Sequence, residues 1–280
     1  MRVGRAAVAV IAALLFLGSA GGCTTSPPVP GLIRMMTWNV NTIHFAPQDW
    51  APVVAARAPD VVALQEICSG DAEELRAILE RDHGIGYRLV PGPVPTSVDG
   101  GRVFASVDCD RRKIGTGAYG QALLTSLEVV PGSTAVVSLP VVGGLDDDEP
   151  RAYLATTLRT QDGRDIRVVT THLSTRGAVR GDQIAVVAEA ARASATAVVL
   201  GDLNTSPAET SLLAPLLRDF EDVDRAGNRS TSRNQVDGRE SEPQGERIDY
   251  LFTRGLATVG EPETYPVTSS DHRPLVADLR

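Results

Sequence analysis

The chain has few of the residues that mark several common classes of protein. Aromatic residues make up only 4% of its 280 residues, and none lies between Phe220 and Tyr250. An enzyme that works on membrane lipids is expected to present an exposed aromatic or apolar hairpin to the bilayer. The sequence contains no segment of that kind in its polar C-terminal third, so it gives this class little support.

Positive charge is also scarce. The net charge is −8, and it becomes −10 without residues 1–22, which carry two arginines and no acids. A broad basic surface for tight binding of long nucleic acid is therefore not expected. A nuclease is still possible, because a bound cation and local arginines can neutralise a phosphate. Two local clusters exist, with ordinary solvation of loops as the alternative explanation: Arg111, Arg112 and Lys113, and then Arg225, Arg229, Arg233 and Arg239.

A long hydrophobic run is missing from the N-terminus. The apolar stretch Ala6–Leu17 is shorter than the roughly 20 residues of a transmembrane helix. It follows Arg2 and Arg5 and precedes small residues, which is the order of a signal peptide. Cys23 comes directly after these small residues and resembles the lipidated cysteine of a bacterial lipobox, although Ala20 stands where leucine is more typical.

This pattern predicts three segments: a lipoprotein signal peptide over residues 1–22, a lipid-anchored linker over 23–32, and a catalytic domain over 33–280. The linker is rich in proline and is expected to be a short, stiff tether. The protein would then lie on the extracellular face of the membrane in the cell envelope. Plain secretion is the alternative.

Only two cysteines remain once Cys23 is assigned to lipid. In an exported protein, Cys68 and Cys109 are expected to form one disulfide. Two free buried thiols are the alternative.

Short apolar strands, with a helix after some of them, fill the rest of the chain. Ile33–Val40, Val61–Gln65, Ala152–Arg159 and Ala197–Leu200 are typical strands, while Asp71–Arg81, Arg180–Ala193 and Pro207–Phe220 have helical patterns. The order predicts an α/β fold in which two packed, mostly antiparallel sheets are flanked by helices.

Polar residues follow four of the strand-like runs. The runs are MTWNVN, PDVVALQEI, AVVLGDLNTSP and SSDHRPLVADL, and they carry Asn39, Glu66, Asp202 with Asn204, and Asp271 with His272. Strand ends that converge on one edge of a sheet would bring these side chains into one pocket. Carboxylates, amides and a histidine suit a hard divalent cation and a phosphate better than a soft metal.

The individual motifs also have simpler explanations. Asp202 and Asn204 lie on the same side of a strand end, where they could instead form a turn that caps the next helix. Asp271 and His272 are neighbours in an extended segment and should point in opposite directions, so the two should not pair with each other. Asp249 is a third acid that could orient His272.

Taken together, the motifs resemble those of the endonuclease/exonuclease/phosphatase superfamily, which includes deoxyribonuclease I, abasic-site endonucleases, bacterial sphingomyelinases and inositol polyphosphate 5-phosphatases. The resemblance covers Met35–Leu279 and rests on TWN, QE, THL, GDLN, RIDY and SDHRP, in the family's order. It implies a four-layer α/β/β/α sandwich. The segment Tyr119–Ser126 departs from the family pattern, with glutamine and threonine where asparagine and serine are commoner.

The resemblance implies a role for each matching residue. Glu66 would bind Mg2+, with Mn2+ as the alternative, and Asn39 and Asp271 would lie close to the metal. Asp202 and Asn204 would position the attacking water and the phosphate. The remaining roles are acid–base chemistry by His272 with Asp249, and contact with the substrate by His172, Arg151, Asn204 and Asn39. No acid that pairs with His172 can be identified from the sequence.

The expected activity is Mg2+-dependent hydrolysis of phosphate esters by in-line attack of water. DNA or RNA is the favoured substrate, and the enzyme is expected to be a monomer. A phospholipid or sphingolipid headgroup diesterase, or an inositol-phosphate phosphatase, is the main alternative. A binding module without turnover is a third interpretation, which the intact set of polar residues disfavours.

Overall fold

The computed structural model describes residues 31–95, 97–98, 102–103, 108–141, 149–224, 229, 231 and 246–280. The described residues belong to one unit, Gly31–Arg280. The predicted signal peptide, Cys23 and the linker up to Pro30 lie outside the described residues. No helix in the described ranges is both long and apolar enough to cross a membrane.

The secondary structure alternates strands with a smaller number of helices. The helices are α1 (Pro47–Ala55), α2 (Ser69–His83), α3 (Cys109–Arg112), α4 (Gly177–Arg192) and α5 (Thr210–Leu217). The strands are β1 (Ile33–Asn39), β2 (Val61–Cys68), β3 (Arg88–Pro93), β4 (Ser97–Val98), β5 (Arg102–Val103), β6 (Tyr119–Thr125), β7 (Glu128–Val129), β8 (Ala135–Ser138), β9 (Ala152–Arg159), β10 (Asp165–His172), β11 (Ala197–Asp202), β12 (Glu221–Asp222), β13 (Asp249–Arg254), β14 (Thr258–Thr264) and β15 (Leu275–Leu279).

The strands form two large sheets. The first sheet has the order β14-β15-β1-β2-β6-β3, and the second has the order β12-β13-β11-β10-β9-β7, with β8 also paired to β9. In the described strands, β1–β2 and β10–β11 are parallel and the other pairs are antiparallel. This confirms the predicted fold class.

Three hydrophobic layers separate the sheets and helices. Alternate residues of β1 show the arrangement, because Met35 packs between the two sheets while Met36 packs against α1 and α2. A third layer joins the second sheet to α4 and α5, with Val199 and Ile184 among its residues. Both faces of each sheet are therefore buried, which explains why the central strands are nearly continuous apolar runs.

The predicted disulfide is present. Cys68 at the end of β2 is bonded to Cys109 at the start of α3, and both residues are fully buried. Glu66 lies two residues before Cys68, so the bond fastens α3 to the end of the strand that carries this acid.

Candidate active site

Three polar side chains lie on one rung of the second sheet. His172 is the register partner of Asp202 in the parallel β10–β11 pair, and Asp202 is the partner of Asp249 in the antiparallel β11–β13 pair. Residues on one rung project from the same face of a sheet. Strand register alone therefore places these three residues together, although 77 positions separate the first from the last in the chain.

Gly201 permits this close packing of strand ends. Its φ is +145°, and a Cβ atom at this position would lie only 2.0 Å from the carbonyl oxygen of Thr171. A larger residue would push β10 and β11 apart beside Asp202. The glycine of the Gly-Asp-Leu-Asn motif thus has a specific geometric role.

Asn39 connects the two sheets at the site. Its Nδ2 donates to Glu66 Oε1 at 2.9 Å and to Asp202 Oδ2 at 3.1 Å, while its Oδ1 accepts from the backbone N–H of Asn41 at 3.2 Å. Asn39 therefore orients two carboxylates through its amide hydrogens. Contacts of Asn39 with a metal and with the substrate remain predictions.

Glu66 owes its direction to an irregularity in β2. Its φ is +52°, in the left-handed region, and the β2–β6 register shifts between Gln65 and Ile67. A bulge of this kind rotates one side chain out of the regular alternation, at a cost in backbone strain. Burial raises the pKa of Glu66, and the hydrogen bond from Asn39 opposes part of that rise.

Asn41 is a site residue that the sequence analysis missed, although it is the last residue of the MTWNVN run. Its Nδ2 donates to Asp271 Oδ1 at 2.8 Å, and its buried Oδ1 finds no hydrogen-bond partner among the described residues. Its φ of +49° turns the chain at this point. Asn41 thus links Asp271 to Asn39, and the predicted place of Asp271 beside a metal remains a prediction.

His272 is held on three sides. Its backbone N–H donates to Ser270 Oγ at 2.9 Å, and its carbonyl oxygen accepts from Trp38 Nε1 at 3.0 Å. Its ring Nδ1 lies 2.9 Å from Asp249 Oδ2, and the ring Nε2 lies 3.7 Å from Asp202 Oδ2. The predicted His272–Asp249 pair is present, and Asp271 points away from the ring toward Asn41.

The charges of this cluster are strongly coupled. Burial alone would lower the pKa of His272, but the carboxylates of Asp249, Asp202 and Asp271 outweigh it and raise the pKa to about 10. Burial, together with the nearby charge of Asp249, raises the pKa of Asp202 to about 7. The imidazole of His272 therefore carries a proton at neutral pH. The carboxyl group of Asp202 loses its proton near neutral pH.

His172 is in the opposite state. Burial, with help from the positive charges of Arg151 and His272, holds the pKa of His172 well below its ordinary value. The neutral ring then accepts a hydrogen bond at Nε2 from Asn204 Nδ2 at 3.1 Å, and Asn204 Nδ2 also donates to the Leu173 carbonyl at 2.8 Å. Both amide hydrogens of Asn204 are thus engaged, so donation to a phosphate would require one of them to exchange partners.

The structure also supplies neighbours for His172 that the sequence could not reveal. Its Nε2 lies 3.5 Å from Asp202 Oδ2, and its Nδ1 lies 3.9 Å from Glu66 Oε1. Neither distance is a hydrogen bond, so no acid is paired closely with this ring among the described residues.

Arg151 lies in a pocket beside His172, together with Tyr119, Gln121 and Glu149. It is buried, its nearest acid is Glu149 with a 3.5 Å separation between Nη1 and Oε1, and its Nε finds no hydrogen-bond partner among the described residues. A buried guanidinium with open donor positions is well suited to an anion.

The residues fit a hard divalent cation on the Glu66 side of the site. Glu66 is a half-buried carboxyl group with a raised pKa, and Asn41 Oδ1 is a buried acceptor without a partner in the described part of the chain. Both are oxygen donors of the kind that such a cation prefers. Asp202, Asp249 and His272 form a second compact group, with potential ligand atoms within 4.8 Å of one another. There a proton on His272 competes with a metal, because a histidine ligand must be neutral.

Comparison with known sequences identifies the family. The Endonuclease/Exonuclease/phosphatase family matches residues 36–272, which include the described site residues from Asn39 to His272. The chain belongs to this family. Its members are generally hydrolases of phosphate esters and typically use divalent metals. No curated protein matches the sequence.

Solved structures with the same fold include members of this family. A family member from Beutenbergia cavernae DSM 12333 has 24% identity and a TM-score of 0.67, covering 89% of this chain and 71% of that chain. One from Bacteroides vulgatus has 20% identity and a TM-score of 0.66, covering 89% and 98%. D. rerio TDP2 complexed with single strand DNA product has 16% identity and a TM-score of 0.64, covering 89% and 99%.

Proposed function

We propose that the protein is a Mg2+-dependent phosphodiesterase that hydrolyses nucleic acid by in-line attack of water. The observation that carries this proposal is the meeting of Glu66, Asp202 and the His272–Asp249 pair in one cluster of linked side chains. It combines a carboxylate for a cation, an acid that titrates near neutrality and a protonated histidine. These are the groups that hydrolysis of a phosphate ester requires.

Glu66 and Asp271 would hold the cation, with the amides of Asn39 and Asn41 beside them. When bound, Mg2+, or Mn2+ in its place, would neutralise charge on the scissile phosphate and the leaving oxygen. Asp202, with a pKa near 7, is suited to accept a proton from the attacking water. His272 would offer its Nε2 proton to the phosphate while Asp249 keeps the ring charged and oriented. Arg151 and His172 would contact the phosphate from the other side.

Two observations favour nucleic acid over a lipid headgroup. The exposed large hydrophobic residues in the described ranges are all aliphatic and lie in four different segments: Ile43, Val137, Leu217 and Val259. They do not form the aromatic hairpin expected of an enzyme that enters a bilayer. The similar structure of D. rerio TDP2 holds a single strand DNA product.

The predicted basic clusters differ in their support for nucleic acid. Arg111 and Lys113 are exposed at the C-terminal end of α3, and Arg112 stacks over the Tyr119 ring beside the Arg151 pocket. In the second cluster, Arg229 is paired with Asp224 and Glu261, so much of its charge is already balanced. Arg225, Arg233 and Arg239 lie outside the described residues.

A substrate panel tests the proposal. Residues 24–280 should be incubated with plasmid DNA, single-stranded DNA, RNA, sphingomyelin and inositol polyphosphates, in Mg2+ and in EDTA, with Glu66→Gln as the matched control. Cleavage of a nucleic acid only in Mg2+ supports the proposal. Preference for sphingomyelin or an inositol phosphate would instead favour the alternative substrates, and no turnover of any substrate would favour a binding module.

We also propose that the protein is an exported monomer, anchored in the cell envelope through lipid on Cys23. The support is the signal-peptide pattern before Cys23 and the Cys68–Cys109 disulfide, since such bonds persist mainly in oxidising compartments. Cys23→Ser should release the protein from the membrane fraction or leave the precursor uncleaved. An unchanged membrane fraction, with no lipid mass on the N-terminal peptide, would contradict the anchor.

A further inference from the structure

The His272–Asp249 hydrogen bond crosses from one sheet to the other. His272 lies three residues before β15 of the first sheet and is fixed there by Trp38 of β1. Asp249 is the first residue of β13 in the second sheet, where it pairs with Asp202. The length of this bond therefore depends on how the two strand ends are held relative to each other.

Thr231 lies between these two strand ends and contacts both. It belongs to the connection from β12 to β13 and is fully buried. Its Oγ1 accepts from the backbone N–H of Ile248 at 3.1 Å and from that of Asp249 at 3.0 Å. Its carbonyl oxygen accepts from the backbone N–H of Arg273 at 2.7 Å. One residue thus holds the start of β13 and the residue after His272.

Arg229 makes a second bridge close to the first. Its guanidinium pairs with Asp224, which is buried next to β12, and with Glu261 Oε2 of β14 at 3.0 Å. Its backbone N–H also donates to Asp224 Oδ2 at 3.2 Å. Because β12 belongs to the second sheet and β14 to the first, Arg229 fixes the backbone two residues before Thr231 against both sheets.

We propose that Thr231 is a positioning residue, whose hydroxyl and carbonyl groups set the distance between Asp249 and His272. This inference rests on the proposed function, in which that pair holds the proton offered to the phosphate. The hydroxyl is essential to the arrangement, because it is the shared acceptor of two neighbouring N–H groups at the start of β13. Without it, the buried N–H of Asp249 and the half-buried N–H of Ile248 lose a partner, and the strand end that carries Asp249 is free to shift.

The chain offers a matched set of variants. Thr231→Val keeps the shape of the side chain and removes the hydroxyl, whereas Thr231→Ser keeps the hydroxyl. Thr253→Val is the control, because Thr253 is also a fully buried threonine on β13 and its Oγ1 has no hydrogen-bond partner among the described residues. If Thr231→Val is insoluble, Thr231→Ala removes the same hydroxyl and carries the same expectation.

Hydrolysis of bis-p-nitrophenyl phosphate in saturating Mg2+ gives the first measurement. A small misplacement of a catalytic group costs up to about a hundredfold, so kcat of Thr231→Val should fall by about tenfold to a hundredfold. KM should change by less than about threefold, because the loss falls on a group that acts in the transition state. The kcat of Thr231→Ser should stay within about threefold of the wild-type value, because serine keeps the hydroxyl. The kcat of Thr253→Val should also stay within about threefold of the wild-type value.

The second measurement needs neither substrate nor metal. In 15N-labelled protein, the His272 Nδ1 proton, assigned with His272→Gln, should exchange slowly with water in the wild type, Thr231→Ser and Thr253→Val, and faster in Thr231→Val. If the wild type cleaves no phosphodiester, the proposed function fails and this comparison still decides the role of Thr231. Unchanged kcat and unchanged exchange in Thr231→Val would overturn the inference. So would an equal loss in Thr231→Ser or in Thr253→Val.

Discussion

The two sheets build their halves of the site in different ways. In the second sheet, His172, Asp202 and Asp249 lie on one rung of three neighbouring strands, and the register alone places them together. In the first sheet, Asn41 and Glu66 both have positive φ angles, and Glu66 lies at a bulge. The first half is therefore held by irregular backbone, with the Cys68–Cys109 disulfide two residues beyond Glu66.

This difference separates two kinds of sensitivity. The second-sheet half holds Asp202 and Asp249 and should tolerate the loss of the disulfide, because ladder hydrogen bonds between β11 and β13 keep its register. The irregular half holds the groups that fit a cation and should depend on its brace and on the cation itself.

The largest effect is expected where the His272–Asp249 pair is broken. His272→Ala should lower kcat by about a thousandfold, in the range of general acid–base catalysis, and Asp249→Ala should lower it by a similar factor. The double variant should lose little more, because the two groups act as a unit. Single-turnover rates of the three variants check this, and losses that multiply would contradict the pairing.

A smaller effect is expected from opening the disulfide. The cysteines are 41 positions apart, and chain entropy gives a contribution of about 4 kcal/mol for a loop of this size, less any native strain. Cys68→Ser/Cys109→Ser should lower the melting temperature and weaken Mg2+ binding at Glu66.

The same double variant should leave Asp202, Asp249 and His272 in place. At saturating Mg2+ its kcat should stay near that of the wild type, as thermal melts and Mg2+ titrations in parallel would show. Mg2+ affinity equal to that of the wild type would show that the bond does not brace the cation side.

The smallest effect concerns the stability of the metal-free protein against pH. The folded-state pKa of His272, about 10, lies above its ordinary value of 6.5, so its contribution is fully present below pH 6.5 and is lost as the pH rises toward 10. The raised pKa of Asp202 acts in the same direction between 3.8 and about 7.

The melting temperature in EDTA should therefore fall from pH 7 to pH 10, and the fall should be shallower in His272→Gln. Identical slopes for the two proteins would contradict the charged state of His272.

Much of this fold follows from local sequence pattern. Ala152–Arg159 and Ile33–Asn39 match their predicted strands almost residue for residue, because both faces of the sheets are buried and the apolar runs are distinct. The helix expected at Pro207–Phe220 is shorter, Thr210–Leu217, since Ser206 and Glu209 hydrogen-bond to each other in a turn before it. The sequence does not predict the four-residue α3 and the two-residue β12, because elements this short are too brief to show a hydrophobic periodicity.

The sequence predicts those parts of the candidate site in which polar residues follow a strand. It does not predict the parts in which contacts between distant strands determine the direction or the partner of a side chain. His272 and Asp249 could be matched from motif and chemistry. The bulge that turns Glu66, the partner that Asn41 provides for Asp271 and the neighbours of His172 depend on register between strands distant in the chain. No local pattern encodes that register.

The most direct test of the account is the Mg2+ dependence of oligonucleotide hydrolysis, measured side by side for the wild type, Glu66→Gln and His272→Ala. The account predicts no activity in EDTA and a Glu66→Gln enzyme that remains folded but needs more Mg2+ than the wild type for half-maximal rate. It predicts a His272→Ala enzyme with a lower maximum and little change in that requirement. Full activity of the wild type in EDTA, or a Glu66→Gln enzyme with an unchanged Mg2+ requirement, would contradict it.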